Sequence, residues 1–132
     1  MMDRFEELIN KAIEVRENSY SPYSDFKVGA AILCSSGKIY TGTNVENASY
    51  GASICAERSA VAAAISGGER KFTAIAVVGG KDKLEFCPPC GICRQVLSEF
   101  GGGSIKVVLC DEKDVKTYSL SELLPESFSL NK

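Results

Sequence analysis

The sequence contains no histidine among its 132 residues. Histidine is the usual proton carrier near neutral pH and a common metal ligand, so its absence excludes His-based nucleophilic catalysis and imidazole-bound metal centres. A proton that moves in this protein near pH 7 would therefore need a carboxyl group with a shifted pKa. A zinc ion, if present, would have to be held by thiolates, for which the chain has six cysteines.

Basic clusters and long apolar runs are also missing. The 15 Lys and Arg residues are scattered, and with 17 Asp and Glu they give a formal net charge of -2. A nucleic-acid groove would need a basic, aromatic-lined surface, so we expect a small, free substrate instead. No apolar run is long enough to span a bilayer, and the N-terminus has no basic segment followed by an apolar one. We therefore expect a cytoplasmic protein.

The composition is typical of one ordinary globular domain. Apolar residues make up 45% of the chain and charged residues 24%. A chain of 132 residues can bury a core without disulfides, so we predict a single domain over residues 1–132. In a reducing compartment the cysteines are expected to be metal ligands or buried thiols.

The spacing of apolar residues predicts helices that alternate with strands, which favours a layered α/β domain with a mixed sheet. Asp3 and Glu6 form a possible capping box for a helix that runs to about Asn18. Ser53 is a possible cap for a second helix, from Ile54 to about 66. The other predicted elements are a helix near 90–100, a helical turn at 120–124, and strands at 27–34, 38–43, 73–78 and 105–110.

Two short cysteine stretches carry the chemistry. Cys55 stands two residues before Glu57, and Pro89 directly precedes the Cys90-x-x-Cys93 pair. Both stretches begin predicted helices, whose N-terminal N–H groups and partial positive charge favour thiolate over thiol. Three thiolates on one zinc leave a fourth position for water, which is the arrangement of a catalytic site. A nearby carboxylate can then carry protons without being a ligand.

Glu57 poses a geometric problem. It follows Cys55 by two residues, which is about 200° around a regular helix. Both side chains can serve one site only if the site lies ahead of the helix end, or if the first helical turn is irregular.

Cys87 makes a second pair of the same spacing with Cys90. Two prolines separate them and prevent this pair from sharing a regular helical turn, which favours Cys90 and Cys93 as the ligands. Cys34 and Cys110 end apolar strands, and we expect both to be buried structural thiols.

Over nearly its whole length the chain resembles cytidine deaminases of the small homotetrameric type. The resemblance is carried by the two cysteine stretches together with residues 26–31 (FKVGAA), 44–50 (NVENASY) and 123–128 (LLPESF). The zinc-deaminase signature places a proline directly before the Cys-x-x-Cys pair, and Pro89 fits that pattern. The resemblance implies a three-layer α/β/α domain with about five strands, one zinc per chain on Cys55, Cys90 and Cys93, and a homotetramer.

The function that this resemblance implies is hydrolytic deamination of cytidine and deoxycytidine to uridine and deoxyuridine in pyrimidine salvage, with release of ammonia. Glu57 would be the catalytic proton carrier. The other implied roles are contacts to the nucleoside and one compensating charge: Phe26 packs on the pyrimidine, Asn44 and Glu46 bind the ribose hydroxyls, Ala56 and Glu57 read the base edge, Tyr50 and Phe128 lie at a site shared between subunits, and Arg58 hydrogen-bonds the zinc thiolates.

Other interpretations compete. A blasticidin-type deaminase would share both cysteine stretches, but residues 44–50 and Ile54 favour cytidine. A deoxycytidylate deaminase would need a phosphate site, and none is evident in the sequence. Cys87 and Cys90 could instead be a thioredoxin-like redox pair, which would leave Cys55 and Cys93 unexplained. Cys87 could also close a purely structural zinc site as its fourth ligand.

Overall fold

The computed structural model describes residues 4–130 and has a five-stranded mixed sheet between helical layers. The strand order is β2-β1-β3-β4-β5, with β3 and β4 parallel and the other neighbours antiparallel. This confirms the layered α/β class with a mixed sheet. The elements are α1 (Arg4–Arg16), β1 (Lys27–Cys34), β2 (Ile39–Thr43), α2 (Ala56–Ser66), β3 (Phe72–Gly80), α3 (Gly91–Ser98), β4 (Lys106–Cys110), β5 (Val115–Ser119) and α4 (Leu120–Leu123).

The sheet is covered on both faces, as the side chains of β1 show. Val28 and Ile32 belong to the apolar cluster formed with α2 and α3, whereas Ala31 and Leu33 belong to the cluster formed with α1. Successive residues of a strand point to opposite faces, so an inner strand between two layers is apolar at nearly every position. The resulting layers are α1, the sheet, and α2 with α3, as the resemblance implied.

Two glycines let the helices approach the sheet closely. A Cβ atom at Gly29 would lie 2.1 Å from the carbonyl oxygen of Ala12 in α1. A Cβ atom at Gly42 would lie 2.3 Å from the backbone nitrogen of Ala60 in α2. Neither position can carry a side chain without displacing a helix. The close contact at Gly42 also sets the height of α2 above β2, and therefore the position of its N-terminus.

The start of α2 differs from the prediction. The helix begins at Ala56 rather than Ile54, and Ser53 is not its cap. Ile54 instead pairs with Val45 through two backbone hydrogen bonds of 2.9 and 3.0 Å, which keep it extended. The tertiary pairing overrides the local helical signal.

Other boundaries shift by a few residues, and one strand is new. α1 ends at Arg16 rather than about Asn18, and α3 spans Gly91–Ser98. The sequence does not predict β5, because this edge strand is largely exposed and lacks an apolar run. Asp3, the first residue of the predicted capping box, lies outside the described residues. Within residues 4–130, no helix has the length and apolar character needed to cross a membrane.

Candidate metal centre and binding cavity

Three thiols converge at the N-terminal ends of two helices. Cys55 is the N-cap of α2, Cys90 is the N-cap of α3, and Cys93 lies in the first turn of α3. The three sulfur atoms all lie within 4.8 Å of one another, and those of Cys90 and Cys93 are 3.5 Å apart. Sulfur atoms at the corners of a tetrahedral zinc site would be roughly 3.8 Å apart, given a Zn–S distance of about 2.3 Å. The donor set and its spacing therefore fit a zinc ion.

Cys55 and Cys93 do not ionise equally. The S–H of Cys93 hydrogen-bonds the Cys55 sulfur and lowers the pKa of Cys55 to about 5, although burial opposes this shift. The same interaction raises the pKa of Cys93, because that thiol gives up its role as donor when it ionises. Ionisation of Cys55 is therefore favoured, whereas ionisation of Cys93 beside it is opposed. A divalent cation is what lets all three sulfurs act as thiolates.

Arg58 supplies the positive side chain nearest to these sulfurs among the described contacts. Its Nη2 atom lies 4.0 Å from the Cys55 sulfur, one turn along α2. The Nε atom of Arg58 is buried and has no hydrogen-bond partner among the described residues. The guanidinium is therefore directed at the thiol cluster, where it partly offsets thiolate charge.

Glu57 is a buried carboxyl group beside the cluster. Its residue is only 5% exposed, and burial raises the pKa of Glu57 to about 7. A backbone hydrogen bond and Arg58 oppose this shift, whereas the charge on Cys55 adds to it. A carboxyl group with a pKa near neutrality can both accept and release a proton at physiological pH.

The angle of about 200° that a regular helix would place between Cys55 and Glu57 does not apply in the structure. Cys55 has an extended backbone, with φ -75° and ψ 155°, and lies outside the helical register of α2. Both side chains therefore line one cavity ahead of the helix end. This is the first of the two geometries that the sequence allowed.

The cavity in front of the thiols has a volume of about 340 Å³. Small-molecule sites typically measure roughly 300–1,000 Å³, so it is large enough for a small ligand. It is lined by residues from the start of β1, the end of β2 and the two cysteine stretches: Phe26, Val28, Asn44, Glu46, Ser53, Ile54, Cys55, Ala56, Glu57, Cys87, Pro88 and Cys90.

Tyr50 and Phe128 lie apart from this cavity. Tyr50 is 83% exposed and lines a neighbouring open groove, which shares Glu46 and Ser53 with the cavity. The side chain of Phe128 is 68% exposed, and its backbone carbonyl accepts a hydrogen bond of 2.9 Å from Gln95. Within one chain, the cavity thus brings together all of the predicted nucleoside-binding residues except these two aromatic residues.

Asn44 is tied to the loop that carries Phe26. Its side-chain oxygen accepts hydrogen bonds from the Ser19 hydroxyl (2.5 Å) and the Val28 N–H (3.0 Å), and its amide donates to the Phe26 carbonyl (2.8 Å). Both lone pairs of the oxygen are used, and one N–H of the amide remains for another partner. The sequence did not reveal this structural role, since the partners are 16 to 25 residues away.

Arg94 fixes the second cysteine stretch. Its Nε donates to the Pro89 carbonyl at 2.7 Å, and its Nη1 donates to the Leu123 carbonyl at 2.6 Å. The segment just before Cys90 is thereby joined to the C-terminal helix α4. No local pattern in the sequence indicates this role of Arg94, because its partners are set only by the tertiary fold.

Cys87 lines the cavity but is not one of the three clustered thiols. Its sulfur lies over Gly79 of β3, where a Cβ atom would be 3.1 Å away. Burial raises the pKa of the Cys87 thiol to about 12, which opposes its use as a thiolate. Cys34 and Cys110 are buried thiols, as predicted.

Comparison with known proteins gives consistent similarities. Residues 2–110 match the family model of the cytidine and deoxycytidylate deaminase zinc-binding region. The chain is 48% identical to the cytidine deaminase of Halalkalibacterium halodurans, over 97% of this chain and 96% of that protein. A crystal structure of cytidine deaminase from Burkholderia pseudomallei has a TM-score of 0.87 at 46% identity, covering 97% of this chain and all of that one. A crystal structure of cytidine deaminase from Mycobacterium tuberculosis has a TM-score of 0.85 at 40% identity.

Loss of a clustered sulfur should abolish tight zinc binding, whereas loss of Cys87 should not. We expect Cys90→Ser to weaken zinc binding by more than the ~10–100-fold that follows loss of a supporting residue. Cys87→Ser is the matched control, since both residues line the cavity three positions apart. Zinc content after dialysis against a competing chelator measures the difference. Retention by Cys90→Ser with loss from Cys87→Ser would show that the ligand register is wrong.

Proposed function

The chain belongs to the cytidine and deoxycytidylate deaminase family, and on this basis we propose that it hydrolyses the exocyclic amine of cytidine and deoxycytidine. The products are uridine or deoxyuridine and ammonia. The observation that carries the proposal is the buried carboxyl group of Glu57 on the wall of a cavity of about 340 Å³, beside three clustered thiols. Relatives named cytidine deaminase match almost the full chain, which supports this substrate.

Cys55, Cys90 and Cys93 would hold one zinc ion, which when bound supplies a Lewis acid that brings the pKa of a water molecule towards neutrality. Three thiolates leave such a centre with a net negative charge. The N-termini of α2 and α3, together with the Arg58 guanidinium, offset that charge.

Glu57 would move both protons of the reaction. As a carboxylate it takes a proton from the attacking water and gives it to the ring nitrogen beside the amine-bearing carbon. Once the new C–O bond has formed, Glu57 takes the remaining hydroxyl proton and delivers it to the amine, and the C–N bond breaks with release of ammonia. One group thus acts first as base and then as acid. Burial, which brings its pKa to about 7, makes both protonation states accessible.

The nucleoside would be held by the residues at the ends of β1 and β2. Phe26 would pack on the pyrimidine, and the backbone of Ala56 would contact the base edge. The free N–H of Asn44 can donate to a ribose hydroxyl. Glu46 can accept from one, because hydrogen bonds from Ser24 hold its pKa below the usual value and keep it ionised.

A nucleoside fits this cavity better than a nucleotide. Neither the cavity nor the adjoining groove has a lysine or arginine among the described residues that line it. Glu46 lines both and carries negative charge, so a phosphate near it would be repelled. This favours cytidine over deoxycytidylate within the family.

We also infer a reducing, cytoplasmic location and a role in pyrimidine salvage. All six cysteines are free of disulfides, and a zinc site built from thiolates depends on their staying reduced. Deamination converts one pyrimidine nucleoside into another and leaves the ring and the sugar intact, which suits a salvage reaction.

Replacing Glu57 by glutamine should separate zinc binding from turnover. The amide keeps the shape of the side chain but cannot carry protons, so we expect kcat to fall by at least ~100- to 10,000-fold while zinc content stays unchanged. The loss of cytidine absorbance measures turnover, and metal analysis measures zinc. Glu112→Gln, at an exposed position away from the cavity, is the control. A Glu57→Gln variant with normal turnover would remove this residue from the mechanism.

We infer a homotetramer in which neighbouring subunits cover the mouth of the cavity. Among residues 4–130, four aromatic residues are more than half exposed: Tyr23 and Tyr50, which line the groove beside the cavity, and Tyr20 and Phe128. Exposed apolar patches of this kind mark interaction surfaces. Native mass spectrometry should give the mass of four chains, and Tyr50→Asp should shift it to smaller species. A monomeric wild type with full activity would contradict this assembly.

A further inference from the structure

We propose that Ser24 is a positioning residue that orients the Glu46 carboxylate for the sugar of the nucleoside. This rests on the proposed function and extends it to a residue that does not itself line the thiol cavity. Ser24 lies in the loop between α1 and β1, two residues before Phe26. It lines the groove beside the cavity, at the edge where Glu46 borders both.

The loop holds both oxygens of the Glu46 carboxylate. The backbone N–H groups of Tyr23 and Ser24 donate to Oε1 at 2.9 and 3.1 Å. The Ser24 hydroxyl donates to Oε2. Three donors from two consecutive residues thus fix the carboxylate, and Ser24 supplies two of them.

The Ser24 hydroxyl is itself oriented. The backbone N–H of Phe26 donates to the Ser24 Oγ at 3.1 Å. With this contact occupying an acceptor position, the single hydroxyl proton is directed at Glu46. Asp25, between these residues, has a φ of 59°, and its N–H donates to the Ser21 carbonyl at 2.9 Å. The left-handed residue turns the chain so that Ser24 and Phe26 meet.

This loop is also fixed on its far side. Asn44 donates to the Phe26 carbonyl at 2.8 Å, while the Phe26 N–H is bound to Ser24. The aromatic residue proposed to pack on the base and the carboxylate proposed to bind the sugar therefore share one hydrogen-bonded frame. A carboxylate held before the ligand arrives loses less conformational freedom on binding.

The hydroxyl should therefore affect binding rather than chemistry. Ser24→Ala removes the donor to Oε2 but keeps the backbone donors, so we expect KM for cytidine to rise about five- to tenfold. We expect kcat to stay within about twofold, since Ser24 lies outside the set of residues that lines the thiol cavity. Ser24→Thr keeps the hydroxyl and should restore KM.

Ser36 provides a matched control. Its hydroxyl donates to the Glu69 carboxylate at 2.9 Å and accepts from the Lys38 N–H at 3.3 Å. This repeats the pattern at Ser24, on the turn between β1 and β2. Neither Ser36 nor Glu69 lines the cavity or the groove beside it. Ser36→Ala should leave both kinetic constants unchanged.

The test measures kcat and KM for cytidine in the wild type, Ser24→Ala, Ser24→Thr, Ser36→Ala, Glu46→Ala and the Ser24→Ala/Glu46→Ala double variant. If Ser24 acts through Glu46, adding Ser24→Ala to Glu46→Ala changes KM by less than about twofold. An unchanged KM in the single Ser24→Ala variant would overturn the inference. So would a rise of the same factor in both backgrounds.

Zinc content and melting temperature are measured on the same variants. A Ser24→Ala protein that loses zinc or melts early would assign the hydroxyl to folding and overturn the inference. An active wild type with an unaffected Ser24→Ala refutes only the role of Ser24. A wild type that turns over no cytosine nucleoside refutes the proposed function itself.

Discussion

Repulsion among three ionised thiols within 4.8 Å of one another is the constraint on which the site depends. The fold holds the sulfurs close by placing Cys55 and Cys90 at the N-caps of two helices, with Cys93 in the first turn of the second. Those helix ends and Arg58 place positive charge near the cluster, but this charge is not enough to balance three thiolates. A divalent cation completes the balance, which explains why the arrangement suits zinc.

The sheet determines where these helix ends meet. α2 lies against β1 and β2, and Gly42 lets its backbone come within a distance that no Cβ would permit. α3 follows β3 and leads to the parallel strand β4, as a crossover connection requires. Arg94 then joins the segment before Cys90 to α4. Close backbone packing thus positions Cys55 at the start of α2, and the hydrogen bonds of Arg94 hold the segment before Cys90. Glu57 is buried beside both cysteines.

Most of the fold and the metal cluster could be predicted from the sequence, because they depend on local patterns. The β1 strand and the helix at Cys90 follow from the spacing of apolar residues, and the three clustered cysteines are those that the resemblance to the zinc-deaminase signature implies. The start of α2 could not be predicted, since the pairing of Ile54 with Val45 is tertiary. The exposed strand β5 has no apolar signal. The hydrogen bonds that bind Glu46 to the loop between α1 and β1 join residues more than 20 positions apart, so no local pattern indicates them.

The proposed reaction requires a zinc centre with three protein ligands and an open position beside Glu57. X-ray absorption at the zinc edge of the purified protein tests it directly. We expect three sulfur neighbours at about 2.3 Å and one oxygen neighbour at about 2.0–2.2 Å. Four sulfur neighbours would contradict it, because Cys87 would then close the centre and leave no position for water.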